Sequence, residues 1–184
     1  AGARAFEGWQ DGEGKIYFYA VSDVDITSVN TVKGKKHSVM VVNFADIPDS
    51  SVLRLRIGFS FVSVGNAKMN LEAENFDDIA QTADSCWESL LSKIRVHGGT
   101  LRHKRIFYSC LYRSMMWPAL RSDVNGDYTD VQGRICNGGF SYYTLPSFWD
   151  DYRNKLILLG LLLPHVTQDV LKTIIDMGEK TNGY

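Results

Sequence analysis

The chain has 184 residues, 45% of them apolar and 22% charged, with a formal net charge of -1. It is long enough to bury a core, too apolar for a disordered segment, and without the basic field that binding a nucleic-acid backbone demands. Its longest apolar run, LILLGLLL at 156–163, is far short of the roughly 20 residues that span a bilayer.

The opening AGARAFEGWQDGEG has no charged-then-apolar leader and reads as the interior of a longer polypeptide. Strand signals follow. IYFYAVS (16–22) and SVMVVNF (38–44) are rich in β-branched and aromatic residues. VLRLRIGFSFVS (52–63) alternates Leu53, Leu55, Ile57, Phe59 and Phe61 with Arg54, Arg56, Gly58 and Ser60, a period of two that puts the apolar set on one face. Turn-forming VKGKK and DIPDSS separate these runs, so the first third predicts an antiparallel portion of a β-sandwich.

From Asn75 the period becomes helical. Phe76, Ile79, Ala80, Ala83, Trp87, Leu90, Leu91 and Ile94 recur at three- and four-residue spacings, with Asn75 as N-cap and Asp77 and Asp78 where the helix dipole favours negative charge. RVHGGT stops this helix. A second runs from about Leu101 to Met116 behind Thr100 as N-cap and buries Ile106, Phe107, Cys110, Leu111 and Met115; Pro118 bars its continuation. A third begins near Ser147 and carries the apolar run. A fourth starts at Thr167 as cap, continues through Val170, Leu171, Ile174, Ile175 and Met177, and ends at NGY. Strands before helices predict an α+β chain, with the change of regime between residues 64 and 75.

Cys86, Cys110 and Cys136 are widely spaced, with no CxxC pair and no histidine ladder, which argues against zinc and against a disulfide framework. Cys86 and Cys110 fall on apolar helical stripes, where a buried, inert thiol is expected.

Two stretches invite a chemical reading. In SDVNGDYTDVQGR (122–134), Asp123, Asn125 and Asp127 have the spacing of the first three ligands of a calcium loop. That loop needs glycine at its sixth position and a bidentate glutamate at its twelfth, and here Tyr128 and Arg134 stand there. A surface turn knit by Asp and Asn side chains is the better reading, and no residue of this chain is expected to bind metal. In GFSYYTLPSFWDDYR (139–153), aromatics, hydroxyls, carboxylates and an arginine are concentrated. Such a mixture suits a sugar, whose C–H surface stacks on aromatic faces while its hydroxyls take bidentate hydrogen bonds; aromatics beside a helix start also serve simply as core.

Taken in order, VLRLRIGFSFVSVGNAKMNLEAE, IFYSCLYRSMMWP, SDVNGDYTDVQGR, FSYYTLPSFWDDYR and VLKTIIDMGEKTNGY resemble the α-mannosidases of glycoside hydrolase family 92 from about Gly8 onward. The resemblance implies secreted or periplasmic, calcium-dependent, inverting enzymes, with an N-terminal β-sandwich joined by helices to an (α/α)6 barrel. On that frame residues 1–64 are part of the sandwich, 65–99 a linker helix, and 100–184 the start of the helical catalytic domain. Apolar faces such as Leu158, Leu161 and Leu162 would then lack their partners.

An inverting glycosidase needs an acid and a base roughly 6.5–9.5 Å apart across the sugar. The resemblance puts both, and the calcium ligands, outside this chain. Asp150 and Asp151 do not substitute for them, since neighbours on a helix point about 100° apart. What carries over is the sugar-holding shell: Asp150 to bind hydroxyls of a terminal mannose, Trp149 to shape its pocket, and Arg153, which is equally placed to pair with Asp150 at i,i+3. Asp151 and Tyr152 depart from the family's WDT-F-R pattern at the pocket edge. The expected partners are mannose-containing glycans and the remainder of the same polypeptide. The alternative is a noncatalytic carbohydrate-binding or interaction module on the same scaffold.

Overall fold

The computed structural model describes residues 3–12, 14–35, 38–46, 48–49, 51–71 and 75–181. The end of the NLEAE motif and the closing NGY lie outside the described residues. The chain divides into two compact units, Ala1–Phe76 and Asp77–Tyr184.

The first unit is built around one long strand. β1 (Ala3–Gly12) folds back antiparallel on β2 (Gly14–Lys33) with Gly12 opposite Gly14, whose φ of +127° is open only to glycine at low cost. β3 (Ser38–Phe44) pairs with Ile26–Lys33, and β4 (Leu55–Ser60) pairs with Tyr17–Ser22. Ile26 is matched by both Ala3 and Phe44, and Val21 by both Ala5 and Arg56. One edge of β2 therefore belongs to β1, while β3 and β4 share the other in series. The sequence located β3, but only the first part of β2 and nothing of β1.

The strand expected over 52–63 is shorter than its alternation suggested. At Ser63 the chain turns into helix α1 (Val64–Met69), and the Ser63 hydroxyl accepts from the Asn66 N–H at 3.0 Å, an N-cap that wins over continued extension. The helix lies on the face of β4 that carries Gly58 and Ser60: a Cβ on Gly58 would stand 2.1 Å from the Ala67 carbonyl oxygen. The small residues of β4 are thus the buried ones. Leu55, Ile57 and Phe59, the apolar set, line the opposite face and are exposed, Phe59 by 58%.

The second unit is helical. α2 (Phe76–Leu91) and α3 (Leu101–Met115) are joined through Gly98 and Gly99, both at positive φ, and the Thr100 hydroxyl accepts from the His103 N–H as the sequence predicted. Trp87 meets Tyr112 with ring centroids 4.4 Å apart, and the Tyr108 hydroxyl donates to the Ile94 carbonyl at 3.0 Å. Cys86, Cys110 and Ile106, expected inside, are exposed, and no residue of α2 is buried.

After α3, residues around Leu120 pair with those around Tyr143, and between them lies a small hairpin, β5 (Asp127–Thr129) and β6 (Ile135–Asn137), that the sequence did not reveal. The helix expected from Ser147 onward is broken: α4 (Phe148–Asp151) is one turn, and α5 (Lys155–Leu162) restarts after Asn154, a residue whose side chain competes for backbone hydrogen bonds. α6 (Pro164–Lys180) begins three residues before the predicted cap. Pro164 occupies the first turn, where its missing N–H costs nothing, and the Thr167 hydroxyl instead donates back to the Leu163 carbonyl at 3.2 Å. No helix among the described residues is long and apolar enough to cross a membrane.

Candidate functional site

In the 122–134 loop, the residues spaced like calcium ligands are tied to one another. Asn125 and Asn137 donate side-chain N–H groups to the two carboxylate oxygens of Asp127 at 2.6 and 3.1 Å, and Gly126 turns the chain at φ +85°. Asp130 is buried and accepts from the Gln132 and Arg134 backbone N–H groups, from Arg134 Nε at 3.0 Å, and from Lys180 Nζ at 3.3 Å. Lys180 reaches Asp176 at 2.8 Å as well. Burial pushes the Asp130 carboxyl up, but the hydrogen bonds from Arg134, Gln132 and Lys180 outweigh it and hold the group well below the usual carboxylate range. Burial likewise opposes the charge on Lys180, and Asp176 and Asp130 outweigh it, keeping the ammonium above its ordinary value. Both carboxylate oxygens of Asp127 are already taken by side-chain amides rather than left open toward a common point, and among the described residues no three His, Cys, Asp or Glu side chains converge as a ligand set. The loop is a fastening between hairpin and α6.

The fastening continues into an aromatic core. Tyr128 stacks on Tyr142 with centroids 3.9 Å apart and planes 9° from parallel. Burial, with Asp176 nearby, pushes the Tyr142 phenol up to about 12. The Thr173 hydroxyl on α6 accepts from the Tyr143 N–H at 3.1 Å. The segment leading to α4 is therefore held on both sides, by α6 and by the strand-like pairing with residues around Leu120.

At its end stand the residues that the sequence proposed for sugar. Pro146 is buried and Ser147 opens α4. The Ser147 hydroxyl does not cap the helix backbone; it donates to Asp150 Oδ2 at 2.8 Å. Trp149 is 89% exposed, and Asp150 is exposed beside it. Asp151 turns inward, buried, and pairs with Lys155 at 3.2 Å. The two carboxylates thus diverge as helix geometry requires. Arg153 donates from Nε to the Tyr152 hydroxyl and lies over its ring at 5.3 Å, rather than pairing with Asp150. The structure brings Trp149 and Asp150 together on open surface and leaves Arg153 engaged with Tyr152. Sequence reasoning missed Ser147, although Ser-x-x-Asp before an apolar run is a recognisable signal. It also missed Lys155 as the partner of Asp151, which the i,i+4 spacing could have supplied.

A sequence model of the glycosyl hydrolase family 92 catalytic domain matches residues 65–184. The chain belongs to glycosyl hydrolase family 92. Its fold is similar over 96% of its length to a family 92 α-mannosidase from Bacteroides thetaiotaomicron, at 21% identity and a TM-score of 0.86. The same α-mannosidase in complex with mannoimidazole is similar at 20% identity, with a TM-score of 0.85 and 96% of this chain covered. A family 92 inverting mannosidase from the same organism is 26% identical over 96% of this chain, with a TM-score of 0.80. In each comparison the family 92 chain spans 27% of the solved structure's length. No curated protein matches it. The order of antiparallel sheet and then helices, predicted as α+β, is the order these structures share.

Proposed function

We propose that this family 92 chain is an internal stretch of a glycoside hydrolase that removes terminal α-linked mannose from glycans with inversion. The observation that carries the reading is the family match across residues 65–184. The names of the similar solved structures, an α-mannosidase also solved with mannoimidazole and an inverting mannosidase, support mannose as the sugar.

In this reading Trp149 offers an open aromatic face to the C–H surface of the sugar, and Asp150 accepts from its hydroxyls. Ser147 orients that carboxylate before the sugar arrives, so less freedom is lost on binding. Arg153 joins them by leaving Tyr152. The acid and base come from elsewhere in the polypeptide: Asp151 is buried against Lys155, and Asp150 is committed to Ser147. Calcium, which the resemblance implies, is assigned to the rest of the polypeptide too, and the parent enzyme to a secreted or periplasmic compartment. Residues 1–64 belong to a β-sandwich, 65–99 to a linker and 100–184 to the start of an (α/α)6 catalytic domain. The uncovered apolar faces at Phe59 and Leu161 support this assignment.

The test is an assay of the whole polypeptide on α-mannosides with and without chelator, following the anomer first released by proton NMR. Release of β-mannose, abolished by chelator and by Asp150→Ala, is the expected result. Release of α-mannose, or no hydrolysis by an intact folded protein, would overturn the reading.

A further inference from the structure

We propose that Trp117 is a second sugar-stacking platform, which takes the pyranose linked to the one held at Trp149. This inference rests on the sugar reading of Trp149 and Asp150 and extends it: the site is built for an oligosaccharide.

Trp117 is 43% exposed, and its ring is tied to the protein at one point. Its indole Nε1 donates to the Leu145 carbonyl at 3.2 Å, so the one polar atom of the side chain is satisfied by the protein and the remaining exposed surface is aromatic. The residues that follow keep it in place. Pro118 is buried, the Ala119 N–H donates to Thr144 Oγ1 at 2.8 Å, and the Thr144 N–H donates to the Ala119 carbonyl at 2.9 Å. Trp117 is thereby clamped to the strand-like segment that leads into Ser147, Trp149 and Asp150. From Leu145, whose carbonyl holds the indole, to Trp149 is four residues, a reach of at most about 14 Å.

Two exposed indoles are thus tied to one short segment, Trp117 through the Leu145 carbonyl and Trp149 four residues further on. A fixed aromatic face loses little entropy when a ligand covers it, and stacking on it needs no particular hydroxyl pattern, which suits a platform for a second sugar. The polar groups a sugar also requires, Ser147 and Asp150, stand on the same segment. Trp149 with Asp150 would set which sugar is taken, and Trp117 would set how much of the chain behind it is gripped.

The experiment uses the whole polypeptide with its tryptophan indoles labelled with nitrogen-15 and follows the Trp117 and Trp149 signals by NMR. Mannose and sulfur-linked α-mannobioses, which a glycosidase does not cleave, are the probes, and Trp117→Phe and Trp149→Phe identify the two signals. Mannose should move the Trp149 signal alone, whereas at least one mannobiose should move both and bind about three- to tenfold more tightly. Trp117→Ala should erase that advantage while leaving mannose affinity unchanged. If mannose moves the Trp149 signal but no mannobiose moves that of Trp117, the second platform is overturned and the first reading stands. If no sugar moves either signal, both fall. Should Trp117→Ala fail to fold, the shifts in the unaltered chain decide the matter alone.

Discussion

The Ser147 hydroxyl donates to Asp150 Oδ2 at 2.8 Å, so the carboxylate proposed to grip mannose is oriented by a neighbour three residues earlier. Both residues are exposed, so solvent screens the charge and the bond's net worth falls to that of an ordinary hydrogen bond, about 0.5–1.5 kcal/mol. Ser147→Ala should therefore weaken mannose binding by about two- to tenfold and leave the melting temperature nearly unchanged, as read by calorimetric titration and thermal unfolding. A large loss of stability with unchanged affinity would make Ser147 a structural residue only.

Stability of the helical unit should depend on pH through Asp130. Its folded-state carboxyl is held low by Arg134, Gln132 and Lys180 against the opposing effect of burial. A depressed carboxyl contributes stability that is complete above the unfolded value, near 3.8, and is lost as pH falls through the folded one, because the unfolded chain binds the proton first. Lys180 works in the opposite sense: its raised value contributes below about 10.5 and fades as pH climbs beyond that. Urea unfolding at a series of pH values should show a plateau at neutrality with a fall on the acid side. In Asp130→Asn the acid-side fall should shrink, and stability at neutrality should drop by about 2–4 kcal/mol, since Lys180 keeps Asp176 but loses a buried partner.

Gly58→Ala should be costly out of proportion to its size. The added methyl would meet the Ala67 carbonyl oxygen at 2.1 Å, and that atom is helix backbone, which cannot swing aside like a side chain. A loss of about 1–3 kcal/mol is expected, with α1 lifted from the sheet. Alanine at Gly12, whose nearest neighbour would be 3.9 Å away, is the control that should cost far less. Thermal unfolding of the two variants separates steric clash from the general cost of replacing a strand glycine.

Local signals with a single winner were legible in the sequence. Thr100 had the right side chain before a clean apolar stripe, and α3 starts there; the alternation around Ile57 correctly marked a strand. What could not be read was which face of that strand would be covered. Alternation reports two unlike faces, and the small residues Gly58 and Ser60 admit α1 more closely than Leu55 or Phe59 could, a consequence of a helix that Ser63 starts further along. Thr167 has the side chain of a cap, but Pro164 starts the helix, since the first turn is where proline fits best. At the candidate site, Trp149 and Asp150 stood out by residue type, and the structure finds them on open surface. Ser147 and Trp117 act through hydrogen bonds to neighbours, and the Trp117 bond spans 28 positions, which no local pattern reports.

The last prediction concerns apolar surface. Phe59 is 58% exposed on a strand whose neighbours Leu55 and Ile57 share its face, and Leu161 is 77% exposed on α5. The two lie in different units, so they test separately whether each is an interior face left uncovered. Contiguous apolar surface of this kind drives association, so the 184-residue chain should self-associate as its concentration rises. In analytical ultracentrifugation, Phe59→Ser with Ile57→Thr should lower the associated fraction, and Leu161→Gln should lower it further. Neither change should reduce the folded unit's stability much, because the side chains removed are already in water and leave little cavity. If both variants instead unfold at markedly lower denaturant, those faces are part of a closed core, and assigning them to missing layers of a larger enzyme is wrong.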